Sequence, residues 1–124
     1  MRLLADTHVV LWWLADDARL SDDLKTVLDF EPDVFVSAAT VWEVAIKQAT
    51  GKLRAPVDLA ERVSESGFKE LPIQARHAAA AGRLPPIHRD PVDRMLVAQA
   101  RSEDLMLVTR DANIRRYDVP TLVP

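Results

Sequence analysis

The chain has no cysteine, one tyrosine and three glycines. Without cysteine there is no disulfide scaffold, no thiolate zinc site and no cysteine nucleophile, a composition that suits a reducing cytoplasm. No apolar run approaches the roughly 20 residues needed to cross a bilayer, so no membrane role is expected. The N-terminal apolar run carries one basic residue, Arg2, and is broken by Asp6 and His8, which makes a poor signal peptide. Neither G-x-G-x-x-G nor G-x-x-x-x-G-K occurs, which disfavours nucleotide-binding folds. Excess positive charge is missing too. At a net charge of −3, a role with nucleic acid requires a local basic patch or bound cations.

What is present suits one globular domain spanning 1–124, since 48% hydrophobic residues supply a core and 28% charged residues a surface. Arg2 to Ala5 reads as a strand, followed by helix from Thr7 to Ala15. Ser21 N-caps a second helix with acids in its first turn. Val34 to Ser37 is β-branched and aromatic and reads as a strand; helix follows to Thr50, stopped by Gly51. Val57 to Ser66 is helical, with Gly67 at its end. Phe68 to Leu71 is a short strand, Gln74 to Arg83 a helix, Leu84 to His88 a loop and Pro91 to Glu103 a helix. Leu105 to Thr109 is a strand, Asp111 to Arg116 a short helix and Thr121 to Val123 an edge strand. Strands separated by helices give an α/β fold with a mainly parallel sheet and helices on both faces. Ligands of such sheets bind beyond the carboxyl ends of the strands.

Asp6 is the residue that local patterning does not explain: a carboxylate between a buried strand and an apolar helix. It lies just past the first strand, and Asp111 just past Leu105 to Thr109. Glu43 lies in the opening turns of the helix after Ser37, and Asp93 in the first turn of the helix that opens at Pro91. In a parallel sheet these four acids share one edge. Each has a plainer explanation. Asp6 and Asp111 can cap helices; Thr40-Val41-Trp42-Glu43 has capping-box spacing; Glu43 can pair with Lys47. Capping, however, does not require all four helices to start at one edge.

Asp90 and Asp93 are separable. Asp90 precedes Pro91, which favours the first helical position, so Asp90 is the N-cap or a supporting residue. Asp93 heads the stripe of Leu96, Val97 and Ala100 that faces the core, where a carboxylate is costly unless compensated. Gathered carboxylates repel unless a cation sits among them. Hard oxygen ligands without cysteine select Mg²⁺ or Mn²⁺, and the three histidines lack zinc-site spacing. Such an ion activates water and stabilises the charge developing on a phosphodiester, which explains how an acidic site can act on an acidic polymer.

DTHVVLWWL, SAATVWEVAIK, HRDPVDRMLVAQA and LVTRD, in this order, resemble the PIN-domain nucleases, and among them the VapC-type toxins of bacterial toxin–antitoxin pairs. The resemblance implies a three-layer α/β/α fold and a metal-dependent endoribonuclease leaving a 3′-hydroxyl and a 5′-phosphate. It implies metal-binding catalytic roles for Asp6, Glu43, Asp93 and Asp111, with Thr109 as the small hydroxyl residue beside the fourth acid. It further implies a homodimer and a small antitoxin protein that covers the site. The alternative is a catalytically silent PIN-like binding protein, against which the complete acidic set argues. A phospho-acceptor receiver would need a terminal Asp on the third strand, where Glu70 stands, and a lysine after a later one.

Around these acids, Thr7 supports the metal shell or the cap. Arg89, Arg94 and Arg110 are the phosphate-contact candidates, guanidinium forks suiting RNA. His8 reads as structural, His88 as lining the RNA path and His77 as solvent-facing. Trp12 and Trp13 point about 100° apart on a helix, so one core face cannot hold both, and one is free for a dimer or antitoxin contact. Trp42 reads as core.

Overall fold

The computed structural model describes residues 1–54 and 58–124. Five strands form one sheet: β1 (Arg2–Ala5), β2 (Asp33–Ser37), β3 (Lys69–Leu71), β4 (Met106–Val108) and β5 (Thr121–Leu122). Their order is β3-β2-β1-β4-β5, and every pairing is parallel. Six helices cover the sheet: α1 (Thr7–Leu14), α2 (Asp22–Phe30), α3 (Ala38–Ala49), α4 (Leu59–Ser66), α5 (Ala75–Arg83) and α6 (Pro91–Glu103), with a 3₁₀ turn at Ile114–Arg116. This is the expected α/β/α arrangement. Most element ends differ from expectation by a residue or two, the last short helix begins three residues late at Ile114, and Val57, assigned to the fourth helix, lies outside the described residues.

The two-residue period of a strand divides the core. Leu3 and Ala5 of β1, Val34 and Val36 of β2 and Val108 of β4 pack with α1, α2 and α4 on one face. Leu4 of β1 and Leu107 of β4 pack with α5 and α6 on the other. Buried on both faces from Leu3 to Ala5, β1 carries no polar residue after Arg2. The next residue is Asp6.

Register then fixes the site. Ala5 pairs with Val36 on one side and Val108 on the other. The residues that follow, Asp6, Ser37 and Thr109, therefore lie together at the carboxyl edge. Two of the three cap the helix that comes next. Asp6 Oδ1 accepts from the Val9 amide at 2.9 Å, and Ser37 Oγ accepts from the Ala39 amide at 3.0 Å.

That second cap overturns the capping box expected at Thr40. With Ser37 as N-cap, Thr40 is already inside α3 and its hydroxyl accepts from the Thr7 hydroxyl at 3.2 Å. Trp42 is a further correction: it is 59% exposed. The core stripe of α3 is Ala39, Thr40 and Val44, and Trp42 projects off its flank. His77 is corrected in the opposite sense, being fully buried. Its Nδ1 accepts from the Gln74 amide at 3.0 Å, so the ring folds back and caps its own helix. Asp111 heads no α-helix; its Oδ1 accepts from the Asn113 amide at 2.8 Å, a tight turn leading to Ile114–Arg116.

Candidate active site

Asp6 is 3% exposed. Burial on this scale disfavours a charge, and it raises the carboxyl above its usual range. Hydrogen bonds from the Thr109 hydroxyl to Oδ2 (2.5 Å) and from the Val9 amide to Oδ1 oppose that rise, while Asp111 adds to it. Thr109 links two acids, because its Oγ1 also accepts from the Asp111 amide at 3.0 Å. One hydroxyl thus sets the spacing of the acids that follow β1 and β4.

Asp93 arrives from α6. Asp90 is the N-cap, accepting from the Asp93 amide at 2.9 Å, with Pro91 at the first helical position. Asp93 heads the buried stripe of Leu96, Val97 and Ala100 as expected. Its carboxyl is pushed up to about 6, first by burial and then by the charge of Asp90, with Asp111 adding to both. Hydrogen bonding to His88 opposes the rise: His88 Nε2 lies 2.9 Å from Asp93 Oδ2.

Ligand atoms of His88, Asp93 and Asp111 all lie within 4.8 Å of one another, the spacing a single cation needs. Two of the four expected acids are therefore brought together directly, with Asp6 joined to Asp111 through Thr109. Glu43 is not in that group. It is half-buried on α3, one turn beyond Thr40, and its carboxylate has no hydrogen bond or ion pair among the described residues, Lys47 included. His88 was missed as a direct partner of an acid. The signal was its place two residues before the N-cap, where the chain must fold back over the first turn of α6.

The arginines separate by role. Arg94 does not face the site. Its guanidinium donates to the carbonyls of Ala81, Leu84, Pro85 and His88 and to the Tyr117 hydroxyl, closing the turn between α5 and α6. Phosphate contact is therefore withdrawn for Arg94; its work is to hold the loop that carries His88. Arg89 stays exposed beside Asp90. Arg110 does reach the site, in the wall of a cavity of about 370 Å³ shared with Asp6, Asp111, His8, Trp12 and Arg19. Thr7 is turned toward Thr40 and braces α1 against α3.

Three acids and a histidine at the carboxyl edge of a parallel sheet suit a divalent cation. The raised carboxyls of Asp6 and Asp93 show the charge that such an ion would neutralise.

Comparison with known proteins identifies the family to which this fold belongs. The family model for the PIN domain matches residues 3–120. The chain is 32% identical over 126 aligned positions to Ribonuclease VapC22 of Mycobacterium tuberculosis, covering 95% of this chain and 93% of that protein. Among solved structures it is similar to VapBC2 from Rickettsia felis bound to a DNA fragment from its promoter. There the TM-score is 0.72 at 12% identity, over 99% of this chain and 98% of that one. It is also similar to a toxin–antitoxin complex from Klebsiella pneumoniae, with a TM-score of 0.71 at 18% identity, over 97% and 95% of the two chains.

Proposed function

This chain belongs to the PIN domain family, and from that premise we propose that it is a metal-dependent endoribonuclease, the toxin of a toxin–antitoxin pair. The observation that carries the reading is the convergence of Asp6, Asp93 and Asp111 at one sheet edge, with Asp6 and Asp93 raised by burial and mutual charge. Asp93 and Asp111 would hold the cation directly, with Asp6 beside them. Glu43, in the second turn of α3, is proposed as the fourth acid on the resemblance of SAATVWEVAIK to the family's helix glutamate segment.

Bound Mg²⁺ or Mn²⁺ supplies positive charge for the phosphodiester and for the water that cleaves it. The chain supplies placement. Thr109 holds one Asp6 oxygen as acceptor and fixes the Asp111 turn. Asp90 pins the first turn of α6, so Asp93 cannot swing away. His88 Nε2, 2.9 Å from Asp93 Oδ2, either helps hold the cation or shares a proton with Asp93. Arg110 and Arg89 are the cations left to meet phosphate.

An antitoxin partner is supported by the relatives, several of which were solved as toxin–antitoxin complexes. The expected homodimer has a candidate face on α3, where Trp42 and Ile46 are exposed. The test is cleavage of a mixed cellular RNA pool by partner-free protein with Mg²⁺, Mn²⁺ or EDTA, beside Asp93→Asn. Discrete fragments that require both metal and Asp93 are expected. Folded protein that binds metal yet leaves every RNA intact would favour a silent binding module.

A further inference from the structure

Trp12 packs against the edge of the core but is only partly buried there, so part of its ring remains open. Val9 and Val10 fill the core-facing side of α1, and Trp13 has its own packing. The Trp13 indole N–H donates to Asp29 at 2.9 Å and its ring sits 4.7 Å from that of Phe68. Trp12 stands instead between two concavities. One is the 370 Å³ cavity with Asp6 and Asp111 in its wall, and the other a 450 Å³ groove that runs along α1 past Leu11 and Leu14 to Arg54 and Arg62.

Two guanidinium groups lie over the indole. Arg19 Cζ and Arg110 Cζ are each 5.2 Å from the ring centroid. Neither is loosely held. Asp17 grips Arg19 through Nε at 3.0 Å and Nη2 at 2.7 Å. Arg110 donates to the carbonyls of Arg19 and Pro124. The His8 ring, 6.1 Å away and tilted, stands at the same mouth.

We propose that Trp12, with the guanidinium groups of Arg19 and Arg110 held on it, forms a stacking subsite for one unpaired nucleobase of the RNA beside the acidic site. The inference rests on the nuclease reading above. Unpaired bases stack on aromatic rings and on guanidinium planes alike, with little sequence preference. Here both kinds of plane are fixed before any ligand arrives, which lowers the ordering cost of binding. At about 370 Å³ the cavity is of small-ligand size, enough for a single base. Its acidic wall disfavours an acidic peptide, and the guanidiniums over the indole disfavour an apolar one. A nucleotide suits both: its base would meet the stacked planes while its phosphate would lie toward Asp93 and Asp111, the residues that would hold a cation.

The experiment uses Trp13→Phe/Trp42→Phe, which leaves Trp12 as the sole indole. It is titrated with a random-sequence RNA of about 12 nucleotides, a typical single-strand site size, and with the same backbone carrying abasic positions. Base-containing RNA should quench Trp12 emission and abasic RNA should not. Trp12→Leu should weaken binding of the base-containing RNA about tenfold and leave the abasic one unchanged, with Trp12→Phe recovering most of the loss. Equal effects on both RNAs, or no effect on either, overturn the subsite. So does quenching by an acidic amphipathic peptide but not by RNA, which would give this face to a protein partner. If Trp12→Leu fails to fold, emission and Trp12→Phe decide the matter. Metal-dependent cleavage is followed in the same preparations. Cleavage that ignores Trp12 sinks the subsite and leaves the nuclease standing, whereas RNA neither bound nor cut sinks both.

Discussion

Two polar clusters are buried against this sheet, and they are built on opposite principles. One runs from Ser37 through Gln99 to His77 and Glu103. Ser37 Oγ donates to Gln99 Oε1 at 2.6 Å, Gln99 Nε2 donates to the Pro72 carbonyl at 3.3 Å, and His77 Nε2 meets Glu103 Oε1 at 2.9 Å. Its one acid, Glu103, is held below its ordinary range by His77 and Arg76. The other cluster is Asp6, Asp93 and Asp111, where two carboxyls are held above theirs. The first is complete within the chain and stabilises its charged form. The second gathers acids whose mutual charge and burial are only partly offset by Thr109, Val9 and His88. A buried polar group is thus no guide to function by itself; in this chain the direction in which the acid is shifted follows how completely its neighbours offset its charge.

The contrast can be broken most severely at Asp6. Asp6→Asn should keep the Val9 cap and the fold while lowering metal-dependent RNA cleavage by about 100-fold or more, measured against wild type on one RNA. Unchanged cleavage in a contaminant-free preparation would remove Asp6 from the site. Next in size, Gln99→Leu should cost about 2–3 kcal/mol in urea unfolding, because Ser37 and the Pro72 carbonyl lose a buried partner together. Metal titration of the same variant should match wild type. A stable Gln99→Leu, or one that lost metal, would merge the two clusters.

Smaller and opposite in sign, Asp93→Asn should stabilise the metal-free protein by about 1–2 kcal/mol at pH 7.5. The sign follows from the raised value. With a carboxyl near 6 in the folded state against 3.8 unfolded, the stability linked to its proton is full below pH 4 and is lost as pH rises through 6. Wild type should therefore gain on acidification from pH 7.5 to 5, and the variant should show a flatter profile by thermal melting. Metal affinity should run the other way in wild type, rising through pH 6 as Asp93 loses its proton. Smallest of all, Glu103→Gln should cost less than about 1 kcal/mol, since the acid is partly solvated. That loss should be seen above pH 4.5 and vanish on acidification, as a lowered carboxyl requires.

Much of the fold was legible, because β1 and α6 carry their periods plainly and Asp90-Pro91 marks a helix start without ambiguity. The rule of carboxyl ends then brought out Asp6, Asp93 and Asp111 without coordinates. What escaped was decided by side chains reaching across the chain. His77 sits ahead of an alanine run and looked solvated, yet its ring turns back onto the Gln74 amide. Arg94 looked like a phosphate contact, and nothing local reveals that four carbonyls and a phenol converge on it. Trp42 looked like core until the stripe of Ala39, Thr40 and Val44 left it outside. Glu43 was expected to join the other acids, yet the group within reach of one cation is His88, Asp93 and Asp111, and helical spacing alone does not encode how far a residue in the second turn of α3 lies from them.

The junction at Asp6 has one more consequence. Strand passes to helix through that single residue, with the acid acting as both the last bond to the sheet and the first cap of α1. There is no slack to absorb a change in length. One inserted residue would turn α1 by about 100°, sending Val9 and Val10 toward water and dragging the carboxylate from Thr109. In any lineage of this chain, insertions and deletions should collect in the outer turns and spare this hinge-free corner, where acid and helix are inherited or lost as one piece.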